Sequence, residues 1–247
     1  MVDLSSLWAG PLCSHLLQLM GARVIKVEGL ARPDGARFGP SRFFDLMNGG
    51  KESVALDLFV AYGRAQLRSL LANADIVIEA SRPRALQQLG INAEEIVDEC
   101  AGLTWISITG HGREGDAANW IAFGDDAGVS AGVSEFLFEP DGAPIFCADA
   151  VADPLTGLHA ALAAWAHRQD DSGGLIALSL RDVTANCIAL DPPASRDAAA
   201  ERKAEWQSTL SARGMMAAPP TARKPQTSAR PLGADTNSIL SEFGIPC

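Results

Sequence analysis

Five short apolar runs, separated by segments of helical spacing, constrain this chain more than any other feature. Ala22 to Glu28, Ser53 to Leu58, Asp75 to Ala80, Leu103 to Thr109 and Leu175 to Leu180 are strand-length and mostly apolar. Runs of this kind suit strands covered on both faces. Between them, Gly10 to Met20, Ala61 to Ala74, Ala93 to Cys100 and Pro154 to His167 carry leucine or alanine at helical intervals. The alternation predicts an α/β fold, a Rossmann-like parallel sheet with helices on both faces. Met1 to Leu4 reads as the end of one further strand.

Composition narrows the class of partner. Thirty acidic residues against 20 basic ones give a net charge of −10. That balance argues against nucleic acid or an anionic membrane as the main partner. No apolar run approaches membrane-span length, and the start lacks the pattern of a signal peptide. Cys13, Cys100, Cys147, Cys187 and Cys247 are scattered, with no CxxC pair. The expectation is a soluble, cytoplasmic protein with neither zinc ribbon nor disulfide scaffold. Beyond Asp191 the text changes, because half of the 14 prolines fall from Pro192 onward. The division expected is a large domain over 1–190, a linker or helix over 191–230 and a tail over 231–247 docking on the large domain. Ala198 to Leu210 predicts one amphipathic helix, Met215 to Arg230 an extended linker, and Asn237 to Phe243 a short docking helix.

Two motifs carry both a structural and a chemical reading. Gly110-His111-Gly112-Arg113-Glu114-Gly115 matches GxGxxG after a predicted strand. A dinucleotide site also needs the loop to open a helix and a ribose-binding acid on the next strand, and neither follows. A glycine loop at a strand's carboxyl end still exposes N–H groups to some other ligand. Asp153-Pro154 suits the N-cap and first position of a helix, because proline lacks the N–H that would be orphaned there. A carboxylate so placed is also held ionised by the helix dipole and suits a covalent nucleophile. Gly157, in the first turn, would let a bulky ligand approach. The physics of the sequence leaves both readings of Asp153 open. His15, His111, His159 and His167 show no metal-ligand spacing, so no metal site is expected. Asp125-Asp126 reads as a carboxylate pair or a helix cap.

In order along the chain, several segments resemble the family III CoA-transferases, the group of formyl-CoA, carnitine and bile-acid CoA-transferases. Alpha-methylacyl-CoA racemase shares that fold. The matching text is Val2-Asp3-Leu4-Ser5, Ala9-Gly10-Pro11, Leu19 to Glu28, Asn48-Gly49-Gly50-Lys51 and Arg82-Pro83. Ser107 to Gly112, then Asp153 with Thr156-Gly157-Leu158, and Arg230 to Thr236 follow. The resemblance implies an acyl-CoA:carboxylate CoA-transferase in which Asp153 forms an aspartyl-CoA thioester. Acyl-CoA and a carboxylic acid are then substrates, with no tightly bound cofactor and no metal. It implies CoA contacts from Leu7, Trp8, Ala9, Arg37, Leu56, Phe59, Ala80, Ser81 and Arg82, and oxyanion donors from Gly110 and Gly112. It also implies a homodimer, or a complex with another chain. Trp8 stands where formyl-CoA transferase carries glutamine, implying a bulkier or more apolar acyl group. Phe123-Gly124-Asp125 stands where the racemase reads Gly-His-Asp, which removes the deprotonating base and disfavours a 2-methylacyl-CoA racemase. The family's smaller domain lies in the interval that is only Arg181 to Arg230 here. The alternative expectation is therefore a CoA-binding subunit without turnover of its own.

Overall fold

The computed structural model describes residues 1–135, 143–170, 173–215 and 221–246; Cys247 and part of the expected linker lie outside them. The chain runs β1 (Val2–Asp3), α1 (Ala9–Leu19), β2 (Ile25–Gly29), α2 (Ser41–Asn48), β3 (Glu52–Leu56), α3 (Ala61–Ala72) and β4 (Ile76–Glu79). It continues through α4 (Pro83–Gln87), α5 (Ala93–Glu99), β5 (Thr104–Thr109), α6 (Gly124–Ser130) and α7 (Ala152–Gln169). β6 (Gly174–Ser179), α8 (Leu180–Ala189), α9 (Arg196–Ala212) and α10 (Thr236–Glu242) complete it. The six strands form one sheet in the order β3-β2-β1-β4-β5-β6, every pairing parallel. The expected Rossmann-like sheet is therefore present, with β1 at its centre.

Side-chain alternation along the strands divides the core. Val2, Ile25, Val27, Val77 and Trp105 pack on one face, under Leu67, Leu70 and Leu71 of α3, Ile96 of α5 and Ile239 and Leu240 of α10. Ile76, Ile78, Ile106 and Ile108 point to the other, under Cys13 and Leu17 of α1 and Ala160, Ala161 and Ala164 of α7. Period-two alternation on doubly covered strands requires this division. The small residues let α7 lie close to α1. A side chain at Gly157 would stand 2.7 Å from the Ala9 carbonyl oxygen. Gly157 therefore admits a neighbouring helix, where the sequence suggested room for a ligand.

On β1 and β2 the second face is polar. Asp3, Lys26 and Glu28 are buried there. Lys26 pairs with Asp34 at 2.9 Å, Lys51 with Asp3 at 3.0 Å and Glu28 with Arg37 at 2.5 Å. Lys51 Nζ also donates to Ser14 Oγ, Asn48 Oδ1 and the Pro11 carbonyl. Burial pulls the Lys51 ammonium down to about 8, against the opposing pull of Asp3. Each of these charges has a partner, as buried charges require.

The C-terminal segment covers the β3 edge of the sheet. Ser53 N–H donates to Asp235 Oδ2 and Ala55 N–H to Thr236 Oγ1, while the Asp235 N–H donates to the Ser53 carbonyl. Side chains thus satisfy donors that an edge strand otherwise offers to other chains. α9 departs from expectation. It is longer than the predicted amphipathic helix, and none of its residues is buried.

Candidate active site

A cleft of about 370 Å³ opens at the carboxyl ends of the strands. β1 and β4 are neighbours, so connections leaving them turn to opposite sides of the sheet. Such switch points are where open α/β sheets bind ligands. The loop after β1 contributes Ser6, Leu7 and Ala9, and the loop after β4 contributes Ala80, Ser81 and Arg82. Thr109 ends β5, Gly110, Trp120, Ile121 and Phe123 follow it, and Asp153 comes from the first turn of α7.

Asp153 is half-buried, and its surroundings are specific. α7 begins at Ala152, so Asp153 lies inside the first turn and does not cap the helix as the Asp-Pro pair suggested. The Ala9 N–H, at the start of α1, donates to its Oδ1 at 3.3 Å. The Gly124 N–H, at the start of α6, lies close to the same carboxyl group and favours its charged form. Burial raises its pKa to about 6; the two N–H donors oppose that rise, and the charges of Asp125 and Asp126 add to it. The group is therefore ionised at neutral pH and more basic than a solvated aspartate, as suits a nucleophile.

The surrounding loops are fixed from below. Leu7 has φ of +69°, a left-handed conformation that a leucine rarely adopts. Its N–H donates to Asp34 Oδ1, and Lys26 Nζ donates to the Ser5 carbonyl at 2.8 Å. The buried Lys26–Asp34 pair thus sets the path that aims Ala9 at Asp153. Ahead of α7, Ala148 and Ala150 are also left-handed, at +58° and +46°. Asp125 Oδ1 accepts the Ala150 N–H at 2.9 Å, and Asp126 Oδ1 accepts the Phe123 N–H at 2.6 Å. The acidic pair therefore holds two turns in place, in keeping with the capping reading.

Gly124 has no room for a side chain. A Cβ there would lie 2.2 Å from Asp153 Oδ2 and 2.5 Å from the Ala150 carbonyl oxygen. Gly124→Ala must move the carboxyl group or the turn behind it. A lowered thermal midpoint by circular dichroism is the expected result for Gly124→Ala. An unchanged midpoint would contradict the placement.

The structure brings together Leu7, Ala9, Ala80, Ser81, Arg82, Gly110 and Asp153. The other expected positions serve elsewhere. Trp8 packs edge-on against Phe43 at 5.4 Å and does not line the cleft. Arg37 chelates Glu28, donates to the Arg230 carbonyl and covers Phe44 at 4.6 Å, so its guanidinium is committed within the chain. Leu56 is in the core. Phe59 is 74% exposed and outside the cleft. The Gly112 N–H donates to Thr109 Oγ1 at 3.0 Å, which occupies the donor expected for an oxyanion. Arg113, at the middle of the glycine motif, pairs with Glu79 and Glu94 and anchors that loop. The Gly124 donor was not anticipated; its one signal was the Phe123-Gly124-Asp125 departure. Among the described residues no cluster of three or more His, Cys, Asp or Glu could hold a metal. No described helix is long and apolar enough to cross a membrane.

A carboxyl group held by backbone donors at the switch point of a parallel sheet defines the class: an α/β protein with a nucleophile-like acid facing a ligand cleft. Residues 1–221 match the model of CoA-transferase family III, and the chain belongs to that family. It is 32% identical over 205 residues to a succinate–glutarate CoA-transferase of Agrobacterium fabrum, covering 76% of this chain and 51% of that protein. With a formyl-CoA:oxalate CoA-transferase of Escherichia coli it shares 29% over 196 residues, covering 75% and 47%. A CaiB/BaiF family protein from Brucella suis superposes with a TM-score of 0.70 at 26% identity, covering 90% of this chain and 57% of that one. A hypothetical protein from Mycobacterium tuberculosis also gives 0.70, at 27% identity, over 76% and 56%. The chain spans about half the length of the curated relatives it matches.

Proposed function

We propose that the protein transfers CoA from an acyl-CoA to a carboxylic acid through a covalent thioester on Asp153. The observation that carries this is the Asp153 carboxyl group, which faces the cleft and meets the N–H groups of Ala9 and Gly124. The ionised carboxylate attacks the thioester carbonyl of the bound acyl-CoA. CoA thiolate leaves, and a mixed anhydride of Asp153 and the acyl group remains. The thiolate then attacks the aspartyl carbonyl, giving the aspartyl-CoA thioester and releasing the donor acid. An acceptor carboxylate attacks that thioester, again expelling thiolate. Attack of the thiolate on the acyl carbonyl of the new anhydride yields the product acyl-CoA and restores Asp153. Dividing the transfer this way is ordinary covalent catalysis.

Whenever the aspartyl carbonyl is attacked, its oxygen becomes an oxyanion. In the resting protein that carboxyl group already faces the donors of Ala9 and Gly124. Preorganised N–H donors of this kind contribute about 10²–10³-fold in rate. We assign the oxyanion role to this pair in place of Gly112. Among the described residues lining the cleft there is no histidine. Asp153 is then the one carboxylate or imidazole lining the cleft, which favours transfer over racemisation, because racemisation needs an acid/base group on each face of the α-carbon.

The protonated carboxyl group cannot attack. With its pKa near 6, the nucleophile is lost as pH falls through that value. Below about pH 6, kcat/KM is expected to drop about tenfold per unit. A flat profile down to pH 4.5 would contradict the assignment. The same reading carries association with a second copy or another chain, supported by Leu158, Leu162 and Trp165, which stand exposed along one side of α7. Light scattering is expected to give a mass above that of one chain; a stable monomer would oppose it.

A further inference from the structure

We propose that the acyl group carried by this cleft is apolar apart from its one reacting carboxyl, an aliphatic or aromatic monocarboxylate, and not a dicarboxylate. This rests on the transferase reading above. Charge comes first. Asp125 and Asp126 lie near Asp153, and their like charge adds to the rise in its pKa. A second substrate carboxylate held close to them, away from bulk water, would meet a strong like-charge penalty unless a cation received it. Among the described residues the cleft offers one basic side chain, the exposed Arg82. Arg113 follows β5 but is bound to Glu79, Ser107 and Glu94, and Arg37 is bound to Glu28. A single exposed guanidinium must then serve both the phosphates of CoA and any distal carboxylate.

The walls give the complementary evidence. Leu7, Trp120, Ile121 and Phe123 line the cleft, yet they are 41%, 60%, 67% and 59% exposed. A single exposed apolar side chain needs no explanation, but several converging on one opening mark a ligand surface. They share the cleft with Asp153, where the acyl chain must lie while its carbonyl is attacked. Trp8, the residue from which an apolar pocket was expected, packs away against Phe43. The apolar surface comes instead from Leu7 and from the segment between β5 and α6.

Equilibrium binding to the full chain tests this without requiring turnover. Free CoA, hexanoyl-CoA, benzoyl-CoA and succinyl-CoA are titrated calorimetrically into Asp153→Asn, which cannot form the covalent thioester, and into the same protein carrying Trp120→Ser, Phe123→Ser or Arg82→Gln as well. Circular dichroism melts verify that each variant folds. Hexanoyl- and benzoyl-CoA are expected to bind about tenfold or more tightly than succinyl-CoA. Trp120→Ser and Phe123→Ser should each remove much of that preference and leave free CoA affinity almost unchanged. Succinyl-CoA binding as tightly as hexanoyl-CoA, with the binding lost in Arg82→Gln, would overturn the proposal. So would equal weakening of free CoA by the two serine variants, since the apolar rim would then hold the carrier and not the acyl group. Failure of every CoA compound to bind would instead remove the transferase reading itself.

Discussion

Replacing Asp153 by asparagine is expected to abolish CoA transfer, by about 10³-fold or more, while making the protein more stable at neutral pH. The first effect follows from removing a covalent nucleophile, for which no neighbour substitutes. The second follows from the cost of holding that carboxylate out of water. In the folded protein its pKa is near 6, against an ordinary value of 3.8. Below pH 3.8 it is protonated in both folded and unfolded chains, and no difference arises. Between 3.8 and 6 the unfolded chain releases the proton first, so folded stability falls as pH rises. By pH 7 the full deficit is present, about 1–3 kcal/mol. Asparagine removes it. Urea unfolding of the two proteins is expected to show a gap at pH 7 that closes by pH 3.5. A variant less stable at pH 7, or one retaining transfer, would count against the nucleophile assignment. The combination is the usual trade between stability and activity at a reactive site.

The largest stability effect is expected at Lys51. Its ammonium is buried with Asp3, Ser14, Asn48 and the Pro11 carbonyl around it. Lys51→Met would leave the Asp3 carboxylate buried without this counter-charge. Breaking one side of such a pair costs about 3–5 kcal/mol. By contrast, Arg23 bridges Glu52 and Glu242 at short distance but is 49% exposed, and exposed pairs contribute about 0–1 kcal/mol. Urea midpoints for Lys51→Met and Arg23→Ala should therefore differ several-fold in their displacement from wild type. Equal displacements would show that the buried network is not what holds β1, α1 and β3 together. Because Asp3 also accepts the Ser5 N–H at 2.9 Å, loss of Lys51 should loosen the loop that carries Ala9.

How much was legible in the sequence follows from which interactions are local. The strands were readable because both faces of β4 and β5 are buried, which makes their text mostly apolar. Their order was less so. The placement of β1 between β2 and β4 creates the switch point, and no periodicity encodes it. α6 was missed because Gly124, Asp125, Asp126 and Gly128 are poor helix formers; its buried Ala127 and Gly128 show that tertiary packing holds it. Asp153 was legible as a residue at a helix start, but its donors, Ala9 and Gly124, are remote in the chain. Arg37 was the right residue type for phosphate, yet Glu28 across a short loop already holds it. Residue type and spacing reveal candidate chemistry; which charges neutralise one another depends on the fold.

The most direct measurement is mass spectrometry of the intact protein after brief incubation with acyl-CoAs, followed by peptide mapping and hydroxylamine treatment. A CoA-sized adduct is expected on the peptide containing Asp153, removed by hydroxylamine and absent from Asp153→Asn. An adduct on any other peptide, or undiminished transfer by Asp153→Asn, would contradict the account.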